Sequence, residues 1–256
     1  MELVRVSNVS LNLEGIQILS HVDMSFEGGL IHAIIGPNGA GKTSLMNCIT
    51  GYYPPNDGTV SFRGEDITRL RPDRIARLGI ARMFQHIEII SELSVKDNVL
   101  LGRHIHTNYN VCQALLYYGK AKREELRNEG EITEIMSFLQ LEDVQEKIAG
   151  SLPYGTQKRV ELARAIAAMP QMLILDEPTS GMNQQEKREI IDAILRVHES
   201  FTPSILLIEH DMRVVMEISD KIWVMNFGTL IANGCPGEIQ QNKLVIEAYL
   251  GSEGTC

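Results

Sequence analysis

The run Ile31-His-Ala-Ile-Ile35 passes directly into Gly36-Pro-Asn-Gly-Ala-Gly-Lys-Thr43, and together these residues restrict the fold more than any other part of the chain. A short, almost unbroken apolar run reads as a strand buried on both faces, and such strands belong to parallel sheets covered by helices. The octet that follows fits G-x-x-x-x-G-K-[ST] throughout, and it is expected to hold phosphate through Gly36, Pro37, Asn38, Gly39, Ala40, Gly41, Lys42 and Thr43, with Ser44 just beyond. Each part has its own chemistry. Glycines let successive backbone N–H groups curl around phosphate oxygens, Lys42 neutralises the β- and γ-phosphates, and the Thr43 hydroxyl can ligate Mg²⁺. Ser44 to Thr50 continues as a helix closed by Gly51.

A second informative stretch lies downstream. Gln157 to Ala168 carries Val160, Ala163, Ile166 and Ala167 at helical spacing, and Pro170 stops the helix. Its start at Pro153-Tyr154-Gly155-Thr156 combines a glycine that permits close approach with the positive end of the helix dipole, which makes an anion site of Tyr154, Gly155 and Thr156. Met172 to Leu175 is another buried-strand run, with Asp176 and Glu177 at its carboxyl end, the edge where open parallel sheets bind ligands. There Asp176 is suited to hold Mg²⁺, directly or through water, and Glu177 to act as general base on an attacking water.

These motifs, with several others, resemble the ATP-binding cassette family, the motor subunits of ABC transporters, and the resemblance covers nearly the whole chain. Gly36–Thr43 looks like its Walker A loop, Gln85 in Ala-Arg-Met-Phe-Gln its Q-loop, and Leu152–Thr156 its signature. Leu173–Glu177 looks like Walker B, Ser180-Gly-Met-Asn183 the D-loop, and His210 in Leu-Leu-Ile-Glu-His the switch histidine. The resemblance implies an α/β fold: a P-loop NTPase (RecA-like) core with a flanking antiparallel β-subdomain, over about residues 1–87 and 166–256, and an inserted helical lobe over about 88–165. It also implies ATP and Mg²⁺ as ligands, with Thr43, Gln85 and Asp176 around the metal and Glu177, His210 and Gln85 around the reacting phosphate. The working unit would be a head-to-tail dimer in which the signature of one cassette closes on the nucleotide of a second cassette subunit. Integral-membrane permease subunits would be driven by it, and indirectly an extracytoplasmic solute-binding protein would be served.

The signature form Leu-Pro-Tyr-Gly, the run Ile208-Glu-His-Asp-Met212 and the ending Gly228-Thr-Leu-Ile-Ala-Asn-Gly…Ala248-Tyr-Leu-Gly251 are similar to the branched-chain amino-acid importer subfamily. Urea or amide uptake is the near alternative. A non-transport cassette acting on the ribosome or DNA is the distant one; its members usually fuse two cassettes or carry long coiled-coil arms, and this chain shows neither.

Composition limits the choices further. A net charge of −9, from 33 acidic against 24 basic residues, argues against nucleic acid as a partner. No run approaches the roughly 18 apolar residues of a membrane span, and the first residues lack a signal-peptide core, so the chain is expected to remain in the cytosol; the resemblance implies a peripheral place on the cytoplasmic face of the membrane. Cys48, Cys112, Cys235 and Cys256 lack metal spacing and read as reduced thiols. The basic cluster Arg69, Arg71, Arg74, Arg77 and Arg82 reads as a solvated helix face.

Short alternation over Glu2–Phe26 and Gly58–Gly64 predicts antiparallel strands, and helices are expected over Val95–Leu101, Val111–Tyr118, Ala121–Leu139 and Gln184–His198. A strand is expected at Ser204–Ile208 and a hairpin around Phe227-Gly228, with no internal repeat.

Three positions depart from the family pattern. Pro153 replaces the signature serine, so that Ser151, Tyr154 or Thr156 would have to supply the hydroxyl. Leu13 stands where an aromatic residue commonly stacks on adenine, and Asn183 stands where the D-loop often has Asp.

Overall fold

Strand alternation decides which faces of this protein meet. The computed structural model describes residues 1–103 and 120–250. The first half runs β1 (Glu2–Leu13), β2 (Ile16–Glu27), β3 (Ile31–Ile35), α1 (Lys42–Ile49), β4 (Asp57–Phe62), β5 (Glu65–Asp66), α2 (Pro72–Leu78), β6 (Ile80–Met83) and α3 (Val95–Arg103). The second runs α4 (Lys120–Phe138), α5 (Tyr154–Ala167), β7 (Met172–Asp176), α6 (Gln184–Phe201), β8 (Ser204–Ile208), α7 (Met212–Ile218), β9 (Lys221–Asn226), β10 (Thr229–Gly234), α8 (Pro236–Gln240) and α9 (Lys243–Leu250). The helix expected over Val111–Tyr118 lies outside the described residues.

Two sheets result. The antiparallel one has the order β2-β1-β4-β5, and the other the order β10-β9-β3-β8-β7-β6. In the second sheet β3 pairs parallel with both β8 and β9, β7 pairs parallel with β8 and β6, and only the β9–β10 hairpin is antiparallel.

Side-chain parity divides the second sheet between two cores. Ile31, Ala33, Ile35, Leu173, Leu175, Ile205 and Leu207 face the helical side, where Val99, Ile132, Ile135, Val160, Ile166 and Ile194 cover them. Ile34, Met172, Ile174, Leu206 and Ile208 face the other way, against Leu45, Met46 and Ile49 of α1 and the inner side of the antiparallel sheet. Residues of α3 and α4 thus share one apolar cluster with the parallel sheet. Cys48 lies in the second core, where burial pushes its thiol up to about 12; it packs as a small apolar side chain. Among the described residues, no helix is long and apolar enough to cross a membrane.

Helix α3 crosses α5 at backbone distance. A Cβ placed on Gly102 would lie 2.1 Å from the Arg164 carbonyl oxygen and 3.0 Å from Ala167 Cβ. Alanine gains about 1 kcal/mol of helix propensity over glycine, but here the overlap opposes it. Gly102→Ala is expected to lower stability by about 1–3 kcal/mol, read as a shift in the urea midpoint at unchanged slope. An unchanged midpoint would show that the two helices are free to separate.

Candidate functional site

The parallel strands all end at the same edge. β3 ends in the glycine-rich loop, β6 in Phe84-Gln85, β7 in Asp176-Glu177, β8 in Glu209-His210 and β9 in the turn Phe227-Gly228. The loop fits closely against the end of β9: a Cβ on Gly36, whose φ is 151°, would meet the Met225 carbonyl oxygen at 2.1 Å. Gly228 donates its N–H to Ala40 O at 3.1 Å, while Tyr249 of α9 contacts the Gly36 backbone through its hydroxyl. The ending that carries part of the subfamily resemblance therefore reaches the phosphate loop.

Lys42 folds back on its own loop, donating to Gly36 O at 2.7 Å and Pro37 O at 3.0 Å. Burial pushes its ammonium below the ordinary lysine range, against the opposing pull of Glu177 and Asp176. A phosphate entering the loop offers this charge stronger acceptors than two carbonyls. Thr43 is exposed in the first turn of α1, followed by half-buried Ser44.

Two of the residues expected around the reacting phosphate face one oxygen of the third, Glu177. Gln85 Nε2 donates to Glu177 Oε2 at 2.8 Å, and His210 Nδ1 stands 3.6 Å from the same atom, outside hydrogen-bond range. Glu177 has a left-handed φ of 46°, and its N–H is tied to Ile208 O at 2.9 Å. Such a conformation costs a non-glycine residue about 1–3 kcal/mol, and the tie to β8 holds it. The carboxylate is thereby turned toward Gln85 and His210.

Sequence reasoning missed the group beneath them. Glu209, with its side chain fully buried, accepts from the backbone of His210 at 2.8 Å and of Asp211 at 3.1 Å. Its other oxygen accepts from Thr179 N at 3.3 Å and from the Thr179 hydroxyl. One carboxylate thus joins the loop after Glu177 to the loop that carries His210. Glu209 directly follows the apolar run of β8, which is the available signal.

The helix start expected to bind anions stands apart. Among the described residues, no hydrogen bond or ion pair joins Tyr154, Gly155 or Thr156 to residues 36–44. Tyr154 instead donates its hydroxyl to Ser180 O at 3.3 Å, Ser151 donates to Ile148 O at 2.7 Å, and Thr156 Oγ1 accepts from Arg159 at 3.5 Å. All three candidate hydroxyls are engaged within the chain. Asn183 has a structural role as the cap of α6, accepting from Glu186 N at 3.0 Å while Glu186 accepts from Asn183 N at 3.0 Å. Leu13 is half-buried at the β1–β2 turn, packed on the core of the antiparallel sheet opposite the exposed Ile16.

Hard oxygen donors at this edge suit Mg²⁺, which binds through one or two protein groups and takes its remaining ligands from phosphates and water. Asp176 and Thr43 offer such donors. Among the described residues no cluster of three or more His, Cys, Asp or Glu could hold a metal without phosphate.

Arg82 requires a correction. Arg69, Arg71, Arg74 and Arg77 are exposed on and before α2, as expected, but Arg82 is on β6 with its side chain only 7% exposed. It shares the parity of Ile80, the face on which Asp176 also lies after Met172 and Ile174. Its guanidinium donates to Asp176 Oδ2 at 2.6 Å and to Asn47 Oδ1 of α1 at 2.7 Å, and stacks over Phe84 at 4.6 Å. One Asp176 oxygen is thus committed to the protein. Arg82→Met is expected to cost about 3–5 kcal/mol, the cost of leaving a buried charge unpaired, measured by chemical denaturation. A loss below about 1 kcal/mol, as for an exposed pair, would show the pair to be dispensable.

Comparison with known proteins shows the family. The ABC transporter family model matches residues 19–180, and a second model, branched-chain amino acid ATP-binding cassette transporter, matches residues 229–255. The high-affinity branched-chain amino acid transport ATP-binding protein LivG of Salmonella typhimurium is 38% identical over 97% of this chain and 98% of its own. BraF of Pseudomonas aeruginosa, described in the same terms, is 36% identical over 97% and 98%. The structure of MJ1267 in its ADP conformation, an ATP-binding cassette of an ABC transporter, superposes with a TM-score of 0.84 at 31% identity, covering 98% of this chain and 99% of that one. Aligned with such relatives over nearly its whole length, the chain belongs to the ABC transporter family, as one of its ATP-hydrolysing ATP-binding cassettes.

Proposed function

We propose that this cassette energises import of branched-chain amino acids, working from the cytoplasmic face of the membrane beneath permease subunits that receive solute from an extracytoplasmic binding protein. The observation that supports the solute class is the end-to-end similarity to LivG and BraF, together with the family model over residues 229–255. In this reading ATP lies on residues 36–44, with its base near Leu13. Lys42 leaves the Gly36 and Pro37 carbonyls for the β- and γ-phosphates. Asp176, Thr43 and Gln85 would hold Mg²⁺, which would neutralise phosphate charge. Glu177 takes the proton of the attacking water, Gln85 aligns that carboxylate, and His210 supports the γ-phosphate from the β8 side.

A second cassette supplies its Tyr154–Thr156 helix start to close the site, in a homodimer or heterodimer. Residues of the helical lobe, about 88–165, carry the closure toward the permeases. A cavity of about 380 Å³ bordered by Tyr52, Ile75, Phe84, Leu101 and Arg164 lies where α2 and β6 meet α3 and α5. It is the proposed seat of a permease segment.

Two measurements test this reading. Glu177→Gln should bind ATP normally while turnover falls about 10²- to 10⁴-fold, the usual contribution of a positioned base; turnover at the wild-type rate would remove Glu177 from the mechanism. A strain lacking the chain should lose uptake of radiolabelled leucine, isoleucine and valine, regained with the wild-type chain and not with Glu177→Gln. Loss confined to urea or short amides would reassign the solute.

A further inference from the structure

Residues 84–88 carry Gln85 to Glu177, and α5 grips their backbone from one side. Lys158 is fully buried, and its ammonium donates to Phe84 O at 2.9 Å, Gln85 O at 3.0 Å and Glu161 Oε2 at 3.1 Å. Glu161, only 1% exposed, accepts from Glu88 N at 3.4 Å through its other oxygen. One turn further on, Arg164 donates to the Glu88 carbonyl. Positions 158, 161 and 164 follow one another at three-residue spacing, so one face of the helix makes every contact.

Burial of two opposite charges carries a large desolvation cost, and a well-packed apolar pair would fill the same space with equal or greater stability. An apolar pair, however, could not hold two carbonyls and an N–H of an irregular loop. The charges are therefore accounted for by what they hold. The Gln85 side chain itself is exposed, and its hydrogen bond runs to Glu177. Its backbone is fixed to α5, and its amide reaches the site.

We infer that the Lys158–Glu161 pair binds residues 84–88 to α5 as one body, so that Gln85 meets or leaves Glu177 only as the helix moves. The inference rests on the reading that Gln85 acts on Glu177 during hydrolysis. Lys158 stands two residues after Thr156, at the helix start proposed to face the partner's nucleotide. A nucleotide that seats that helix start thereby sets Gln85 on the Glu177 of the same chain, and the two sites of the dimer become linked through one turn of helix. Lys158 and Glu161 are positioning residues in this scheme.

The test compares the full-length chain with Lys158→Met, Lys158→Met/Glu161→Leu, Gln85→Ala and Lys158→Met/Gln85→Ala, measuring MgATP hydrolysis and hydrogen exchange. Lys158→Met should lower kcat about 10- to 100-fold, the scale of a small misplacement of a reacting group, with KM for ATP held within about twofold. In the Gln85→Ala background it should cost nothing more, because its effect passes through Gln85. The Lys158→Met/Glu161→Leu chain, which leaves no unpaired charge, should fold and show the same loss. Amides of residues 85–88 should exchange faster in all three chains carrying Lys158→Met while those of β7 keep their protection.

An equal loss from Lys158→Met with and without Gln85 would overturn the coupling, as would unchanged exchange at residues 85–88. An impaired Gln85→Ala beside an unimpaired Lys158→Met overturns the coupling alone. An unimpaired Gln85→Ala overturns the reading of Gln85 and the coupling with it.

Discussion

Parallel pairing of β3 with β8, and of β8 with β7, is the constraint from which the site follows. Strands buried on both faces cannot carry polar side chains along their length, so the chain confines such groups to strand ends. In a parallel arrangement those ends fall on one edge. Lys42, Gln85, Glu177 and His210 therefore come from widely separated segments yet share one rim. The same pairing fixes the difficult backbone of Glu177, because its N–H is donated to Ile208 O of β8. Sheet register and carboxylate direction are one interaction seen from two sides.

Three buried carboxylates stand behind that rim, each with a different kind of support. Asp176 has the Arg82 guanidinium, Glu161 has the Lys158 ammonium, and Glu209 has backbone N–H groups and a hydroxyl. An isolated ion in such surroundings would not stay ionised, and even a paired one gives little net stability compared with apolar packing. Burial raises the Glu161 carboxyl, with Lys158 pulling the other way. What these groups supply is geometry: each one ties together segments that lie far apart in the sequence. Arg82 ties β6 to β7 and α1, Lys158 ties the Gln85 loop to α5, and Glu209 ties the two loops beside Glu177.

That division explains how far the sequence can be read. The phosphate loop, Asp176-Glu177 and His210 are legible because each motif is contiguous and follows an apolar run of a length that suits a buried strand. The strand Ser204–Ile208 has the bounds expected of it, and the hairpin forms around Phe227-Gly228. Arg82 is misread because β6 is only four residues long and follows a basic helix, so its parity is hidden. Lys158 and Glu161, three apart on a helix, look like an ordinary surface ion pair until a partner 73 residues away is known. Ties across such distances leave no local period, so sequence pattern is blind to the residues that hold the site together.

The signature departure takes a different meaning from the same geometry. Pro153 removes a hydroxyl at the N-cap, and no side chain caps α5 in its place. The N–H groups of Tyr154, Gly155 and Thr156 are the first-turn donors that no helical carbonyl can reach. An anion arriving there gains those donors and the dipole without displacing a capping side chain. A serine hydroxyl would add one contact, but the hydroxyls of Ser151 and Tyr154 already donate within the chain, and turning one outward gives only the difference between two hydrogen bonds. Thr156 is the exception, because its oxygen only accepts, from Arg159 at 3.5 Å, and that bond does not use its own O–H. The helix start can therefore receive a phosphate through its backbone, with Thr156 the side chain best placed to join it.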